Sequence, residues 1–207
     1  MGFHSNAARS PASLIYFLCI GAGYILIQVA LIQKFVLFLG HPTYALTVII
    51  FSMLISSGLG SFFSRRLVPP GGDGRLLAVL LGVTAAVSIL SFVTAPVSEY
   101  GVGLPLPLKM LIAACLIMPA GFLMGMPFPS GLSRLEVRYP QAVRWAWSLN
   151  AAASVLGSAG AIFLAIYLGL RVTLLIGGAM YLGALAVVWL ERQPTSEKAR
   201  VSVGVPT

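Results

Sequence analysis

PAGFLMGMPFPSGLSRLEVRYPQAVRWAWSLNAAASVLGSAG, residues 119–160, holds in succession a hydrophobic helix end, a proline-punctuated break, a basic loop and a long helix. Gly121 and Gly125 form a G-x-x-x-G at the end of the first helix. Pro127 and Pro129 are expected to stop it, because neither offers a backbone N–H and each disfavours helix in the residue before it. Arg134, Arg138 and Arg144 then populate a loop. Trp145 and Trp147 follow, where amphipathic rings favour a membrane–water boundary. Beyond them Asn150, Ser154, Gly157, Ser158 and Ala161 recur at three- and four-residue spacing, which places them on one helix face. That face suits close helix packing or a polar cavity, not lipid.

The rest of the chain agrees in character. Of 207 residues, 58% are hydrophobic and 9% charged, with mean hydropathy +0.97. A soluble domain carries about 25% charged residues, so the depletion is large. The net charge of +8 could point to nucleic acid, but the basic residues lie between long apolar runs instead of on one patch, which is a membrane pattern. Cys19 and Cys115 sit inside apolar segments without C-x-x-C or nearby His, and read as small hydrophobes, not as a disulfide or a zinc site. The first apolar run is too long for the h-region of a cleaved signal and reads as a signal anchor.

About 20 apolar residues cross a bilayer, and six such runs follow a polar lead at 1–12. They are 13–32, 43–64, 76–95, 106–126, 142–168 and 172–190, and a polar tail at 191–207 is expected to be disordered. The first continues less cleanly through Gln33 and Lys34 to Leu39 before Gly40-His41-Pro42, and Pro96 is expected to end the third. Six spans place ten basic residues on the side of the N-terminus: Arg9, Arg65, Arg66, Arg75, Arg134, Arg138, Arg144, Arg192, Lys198 and Arg200. The other side holds Lys34, Lys109 and Arg171. The positive-inside rule then puts both termini in the cytoplasm. The fold class expected is an all-α membrane protein of six transmembrane helices. A short echo links SSGLGSFFSRR (56–66) to FPSGLSRLEVR (128–138), a pattern that an internal repeat or any cytoplasmic loop after a tight helix end produces.

Several polar residues inside the spans admit two readings. Gly21, Tyr24 and Gln28 share a face of the first span. Gln28 either contacts a ligand in a central cavity or bonds to a Ser or Asn of a neighbouring helix, since an unpaired amide in hydrocarbon costs several kcal/mol. His41, followed by Tyr44, is either a titrating or ligand-binding group or the cap of the second helix. Ser52, Ser56 and Gly60, with Ser57 and Ser61 beside them, read as a close-packing face. Asn150 is the best single candidate for a site, although a structural interhelical bond fits it as well. No Asp or Glu lies well inside a span, which disfavours a proton relay or a carboxylate-built Na⁺ site. Neither a nucleotide-binding glycine motif, nor H-E-x-x-H, nor G-x-S-x-G occurs, so an enzyme is not expected, nor any cofactor or metal.

GAGYILIQVALIQKFVLFLGHPTYALTVIIFSMLISSGLGSFFSRR (21–66), PAGFLMGMPFPSGL (119–132) and WAWSLNAAASVLGSAGAIFLAIYLGL (145–170) together resemble the membrane region of bacterial spermidine-synthase-like multi-pass proteins, the fused major-facilitator/spermidine-synthase type. The Gly-His-Pro-Thr-Tyr and Gly-Met-Pro-Phe-Pro stretches carry the resemblance most specifically. It implies a bundle like half of a major-facilitator transporter, without the Rossmann-type synthase domain that accompanies it in that family. GLGSFFSRRLVPPGGDGR (58–75) is a loose counterpart of the basic loop between helices two and three. Many relatives have Glu where this chain has Gln28, which weakens any transfer of a polyamine-binding role to it.

Two functions are expected from these readings. The first is a non-catalytic, transporter-like or small-molecule-binding module of the bacterial inner membrane, related to polyamines, with a cavity lined by Gln28, Tyr44, Trp147 and Asn150. The second is a membrane scaffold that docks a separate synthase-like enzyme or larger complex through Arg65, Arg66, Arg134, Arg138 and Arg144. A six-helix unit falls short of a twelve-helix transporter, so transport would call for a homo-oligomer or a partner half in the lipid bilayer, whereas the scaffold reading implies a separate membrane or soluble partner.

Overall fold

A computed structural model describes residues 10–69 and 71–192. The outer parts of the polar lead and tail, with Arg9, Lys198 and Arg200, lie outside the described residues, as does the side chain of Arg138. The elements are α1 (Ser10–Leu39), α2 (Pro42–Leu67), α3 (Asp73–Tyr100), α4 (Leu106–Met124), α5 (Pro127–Arg138), a 3₁₀ turn (Pro140–Ala142), α6 (Val143–Leu168) and α7 (Leu170–Arg192). No strand occurs among the described residues. Six segments are long and apolar enough to cross a membrane, the fourth being α4 and α5 together, which supports a multi-pass membrane protein. The end that carries Arg65, Arg66, Arg75, Arg144 and Arg192 is called the basic end below, and the opposite one the far end.

Three boundaries differ from the sequence expectation. Helix α1 runs unbroken through Gln33 and Lys34, because neither breaks helix, and it stops at Gly40, whose φ of +79° suits glycine alone. Helix α3 continues past Pro96 to Tyr100. The missing N–H costs one backbone bond, a loss that neighbouring helices accommodate inside a membrane. Near this point the Lys34 ammonium reaches in from α1 and donates to the Ser91 carbonyl at 3.3 Å and to Thr94 Oγ1; the carbonyl left by Pro96 is that of Phe92.

The third difference concerns Pro127 and Pro129. They interrupt the fourth span without ending its helical course. Gly125 and Met126 both keep right-handed helical angles, and Pro127 and Pro129 begin α5. The first turn of a helix has no intrahelical partner for its N–H groups, so prolines there lose nothing. The expected basic loop at 127–138 is therefore a helix, and Arg134 lies on it. The far-end turn into α2 is set by His41, which is extended and accepts the Thr43 N–H on Nδ1 at 3.3 Å, with Pro42 at the first helical position. His41 is a helix cap.

Helix α1 is the axis of the bundle, packing mainly on α6 and α7, while α2 packs on α4 and α3 on α7. Its fully buried side chains, Phe17, Ile27, Leu31 and Phe35, meet Ile49, Met53, Leu76, Leu80, Ile117, Leu174 and Tyr181. Where helices touch, small residues let backbones meet. A Cβ at Gly60 would strike the Phe122 carbonyl, one at Gly121 the Ser56 hydroxyl, and one at Gly125 the Ser57 carbonyl. The face of Ser52, Ser56 and Gly60 is the surface on which α2 and the G-x-x-x-G of α4 interlock. Helices α2 and α6 leave Phe51, Leu54, Ile55, Leu156, Ile162 and Phe163 exposed, as lipid-facing surface requires.

Candidate functional site

A cleft of about 410 Å³ opens where α1, α2 and α6 converge on the break between α4 and α5. Its size lies within the range of about 300–1,000 Å³ usual for small-molecule sites. Helix α1 contributes Ile20, Gly21 and Tyr24, α2 contributes Leu54, Ser57, Gly58 and Ser61, and α6 contributes Asn150 and Ser154. The break itself contributes Gly125, Pro127, Phe128 and Pro129, and α7 sends in Tyr181.

The break is the chemically distinctive wall. A helical residue's carbonyl normally accepts the N–H four positions on. Pro129 has no N–H, so the Gly125 carbonyl lacks its usual donor. The Tyr16 hydroxyl donates to the Pro127 carbonyl at 2.7 Å from the buried side of α1. Interrupted backbone at membrane depth is tolerated where it is buried in protein or lines a water-filled cavity. Here the break packs against α1 and lines the cleft.

The polar side chains around the cleft are neutral. The Tyr24 hydroxyl faces Ser57 Oγ at 3.4 Å. Ser154 donates to the Asn150 carbonyl at 2.9 Å and approaches the Gly21 carbonyl at 3.4 Å. The Asn150 side chain lies over Gly21, where a Cβ would come within 2.7 Å of both its Oδ1 and its backbone oxygen. Its amide makes no hydrogen bond among the described residues. The structure thus shows no interhelical bond for Asn150 and sets its amide at the cleft wall. No acidic or basic residue lines the cleft, and the described residues contain no cluster of His, Cys, Asp and Glu suited to a metal ion.

The sequence-proposed ligand residues separate. Asn150 lines the cleft. Trp147, one turn earlier on α6, is 55% exposed and stands edge-on against Phe128 at 4.7 Å, which puts it at the rim. Gln28 is half-buried one turn beyond Tyr24 and does not line the cleft. Tyr44 is exposed at the far end beside the His41 ring, 5.7 Å away, and is not brought to the cleft either. Comparison of the chain with protein-family profiles, curated proteins and solved structures finds no match.

The five arginines proposed for docking also separate. Arg65, Arg66 and Arg144 are exposed at the basic end. Arg134 points inward: its Nε lies 3.3 Å from the Asp73 carboxylate and its Nη2 3.8 Å from Glu191. Glu191 in turn accepts from Ser13 at 2.6 Å. This cluster joins α1, α3, α5 and α7, and Arg134 serves inside the molecule as its centre. Tyr24, Ser57, Ser61 and Ser154 were legible as small or polar residues on the right faces. Tyr181 and Phe128 carried no sequence signal, since only the packing of α7 and α5 on α1 brings them in.

Proposed function

We propose that the chain is a non-catalytic module of the bacterial inner membrane that binds a small polar molecule, in the manner of half a transporter, with the cleft as its ligand site. The observation that carries this reading is the cleft at the interrupted span, where Asn150, Tyr24 and Ser57 line one space with the proline break. Discontinuous helices whose freed backbone groups face a midplane site are a recurring feature of secondary transporters. The lining is rich in oxygen acceptors and free of cations, which favours a ligand with several N–H donors. That chemistry agrees with the polyamine class suggested by the resemblance to spermidine-synthase-like membrane proteins. The basic residues at one end support cytoplasmic termini.

A second reading, a scaffold for a separate synthase-like enzyme, is favoured by one observation: Arg65, Arg66 and Arg144 stand exposed together at the basic end. The two readings part in a thermal-unfolding titration of the purified protein with spermidine. A saturable rise in the midpoint that disappears in Asn150→Ala, with the unliganded midpoint unchanged, is the expected result. Spermidine binding that survives Asn150→Ala intact removes the cleft from the proposal.

A further inference from the structure

A second cavity, of about 200 Å³, lies at the basic end between the end of α2, the start of α3 and α5, and Pro129 lines both it and the cleft. Ser57 and Ser61 line the cleft, and Ser64 lines the basic-end cavity. Their spacing puts the three on one face of α2, along about 10 Å of its length. A row of serines thus passes from one space into the other. Arg65, Asp73 and Ser130 complete the polar wall of the basic-end cavity. A single buried water needs only about 10–15 Å³, so this space has room for many.

In the opposite direction the cleft is closed. Toward the far end α1, α2 and α4 meet through Ile27, Leu31, Ile49, Met53 and Ile117, all fully buried. Sideways lies hydrocarbon, which rejects a small polar molecule. Toward the basic end stands the first turn of α5, and that turn is built to bend. Pro127 and Pro129 withhold two N–H groups from the junction with α4, and sharp bends in helices gather at such places. Two attachments hold it. The Tyr16 hydroxyl donates to the Pro127 carbonyl at the start of α5. Farther along, Arg134 meets Asp73 of α3 at 3.3 Å and Glu191 of α7 at 3.8 Å.

Taking the cleft as the ligand site, we infer that its ligand enters and leaves through the basic-end cavity, and that the first turn of α5 is the gate between them, latched by Arg134. Release of Arg134 from Asp73 frees α5 to swing about the proline break, which moves Pro129 out of the shared wall. Ser57, Ser61 and Ser64 then offer hydroxyls along the whole passage. Arg134 itself touches no ligand, because Asp73 and Glu191 balance its charge.

The test uses the full chain with Cys19 and Cys115 replaced by serine and Ser57→Cys introduced in the cleft. An impermeant charged thiol reagent is added to intact cells and to everted membrane vesicles, with Arg75→Cys and Lys109→Cys reporting which face each preparation exposes. The thiol of Ser57→Cys should react only from the face on which Arg75→Cys reacts. Its rate should rise about fivefold or more with Arg134→Gln or Asp73→Asn. It should fall about two- to tenfold with Pro129→Ala, which restores an N–H for the Gly125 carbonyl. Ala30→Cys, at a fully buried position of α1, should stay unreactive throughout. Reaction from the Lys109 face, from both faces or from neither overturns the passage. A rate unmoved by these variants, or an Ala30→Cys made reactive by Arg134→Gln, overturns the gate. Added spermidine should slow the reaction; labelling from the Arg75 face that spermidine does not slow supports the passage and counts against the polyamine reading of the cleft.

Discussion

Alanine at Gly60 and alanine at Gly58, two positions apart on α2, should move stability in opposite directions. A Cβ at Gly60 lands on the Phe122 carbonyl of α4, with the carbonyl carbon 2.9 Å away and the Cα 3.3 Å away. The obstacle is backbone, so no change of rotamer relieves it, and α2 and α4 must part. Overpacking of this kind costs about 1–3 kcal/mol. Gly→Ala in a helix returns at most about 1 kcal/mol of intrinsic propensity. The clash therefore wins, and Gly60→Ala should lose about 1–2 kcal/mol. At Gly58 nothing lies within 4 Å, so only propensity acts and the variant should gain slightly. For a chain of this length 1 kcal/mol corresponds to about 2–4 °C, which sets the two variants about 4–8 °C apart. Thermal unfolding in detergent, followed by size-exclusion of a fluorescent fusion, resolves such a gap. Gly160→Ala on α6, also beside open space, is the control. A Gly60→Ala midpoint equal to or above that of the parent refutes the backbone-to-backbone packing of α2 on α4.

Tyr16→Phe should destabilise by about 0.5–1.5 kcal/mol in the same assay, because it removes a buried hydrogen bond to the Pro127 carbonyl beside the proline break. A loss below about 0.5 kcal/mol would show that water replaces the phenol. Arg134→Gln should cost about 1–3 kcal/mol, between the values for exposed and buried ion pairs, since the side chains of the Arg134–Asp73 and Arg134–Glu191 pairs are 14–21% exposed. Arg134→Lys should recover only part of this, since a point charge does not span two carboxylates as a guanidinium does. With Cys19 and Cys115 replaced by serine, a cysteine at Arg75 should resist an impermeant maleimide in intact cells and one at Lys109 should label. The reverse pattern inverts the orientation.

How far the sequence reaches is decided by range. Six apolar runs of spanning length are local facts, and they return as six helical segments. Pro127 and Pro129 were harder, because a proline breaks a helix only where an N–H is needed. Whether these two sit mid-helix or in a first turn depends on Gly125 and Met126 holding helical angles, which tertiary packing against Ser57 and Tyr16 secures. Arg134 looked like a loop charge for the same reason; only the meeting of α3, α5 and α7 turns it inward. Asn150 was legible because its small neighbours Ala151, Ala152 and Ala153 leave room beside it. Gln28 was chosen for the face it shares with Gly21 and Tyr24, and Tyr44 for its place after His41, and neither criterion says which residues reach a common cleft. Tyr44 lies at the far end and Gln28 one turn outside the cleft wall.

The position of Gln28 bears on the chemistry of the cleft. A glutamate at position 28 would stand one turn from Tyr24 and outside the lining, so its absence removes no wall of the cleft. On the proposed reading, the groups available to a ligand are the Asn150 amide and the hydroxyls of Tyr24, Ser57 and Ser61, whose residues line the cleft. Each such contact contributes about 0.5–1.5 kcal/mol, and more when the partner is charged. No carboxylate supplies a long-range attraction. A cleft of this kind therefore discriminates by the number and spacing of donors on the ligand more than by its net charge. Among polyamines, affinity should follow how many N–H groups reach the break, α1 and α6 together.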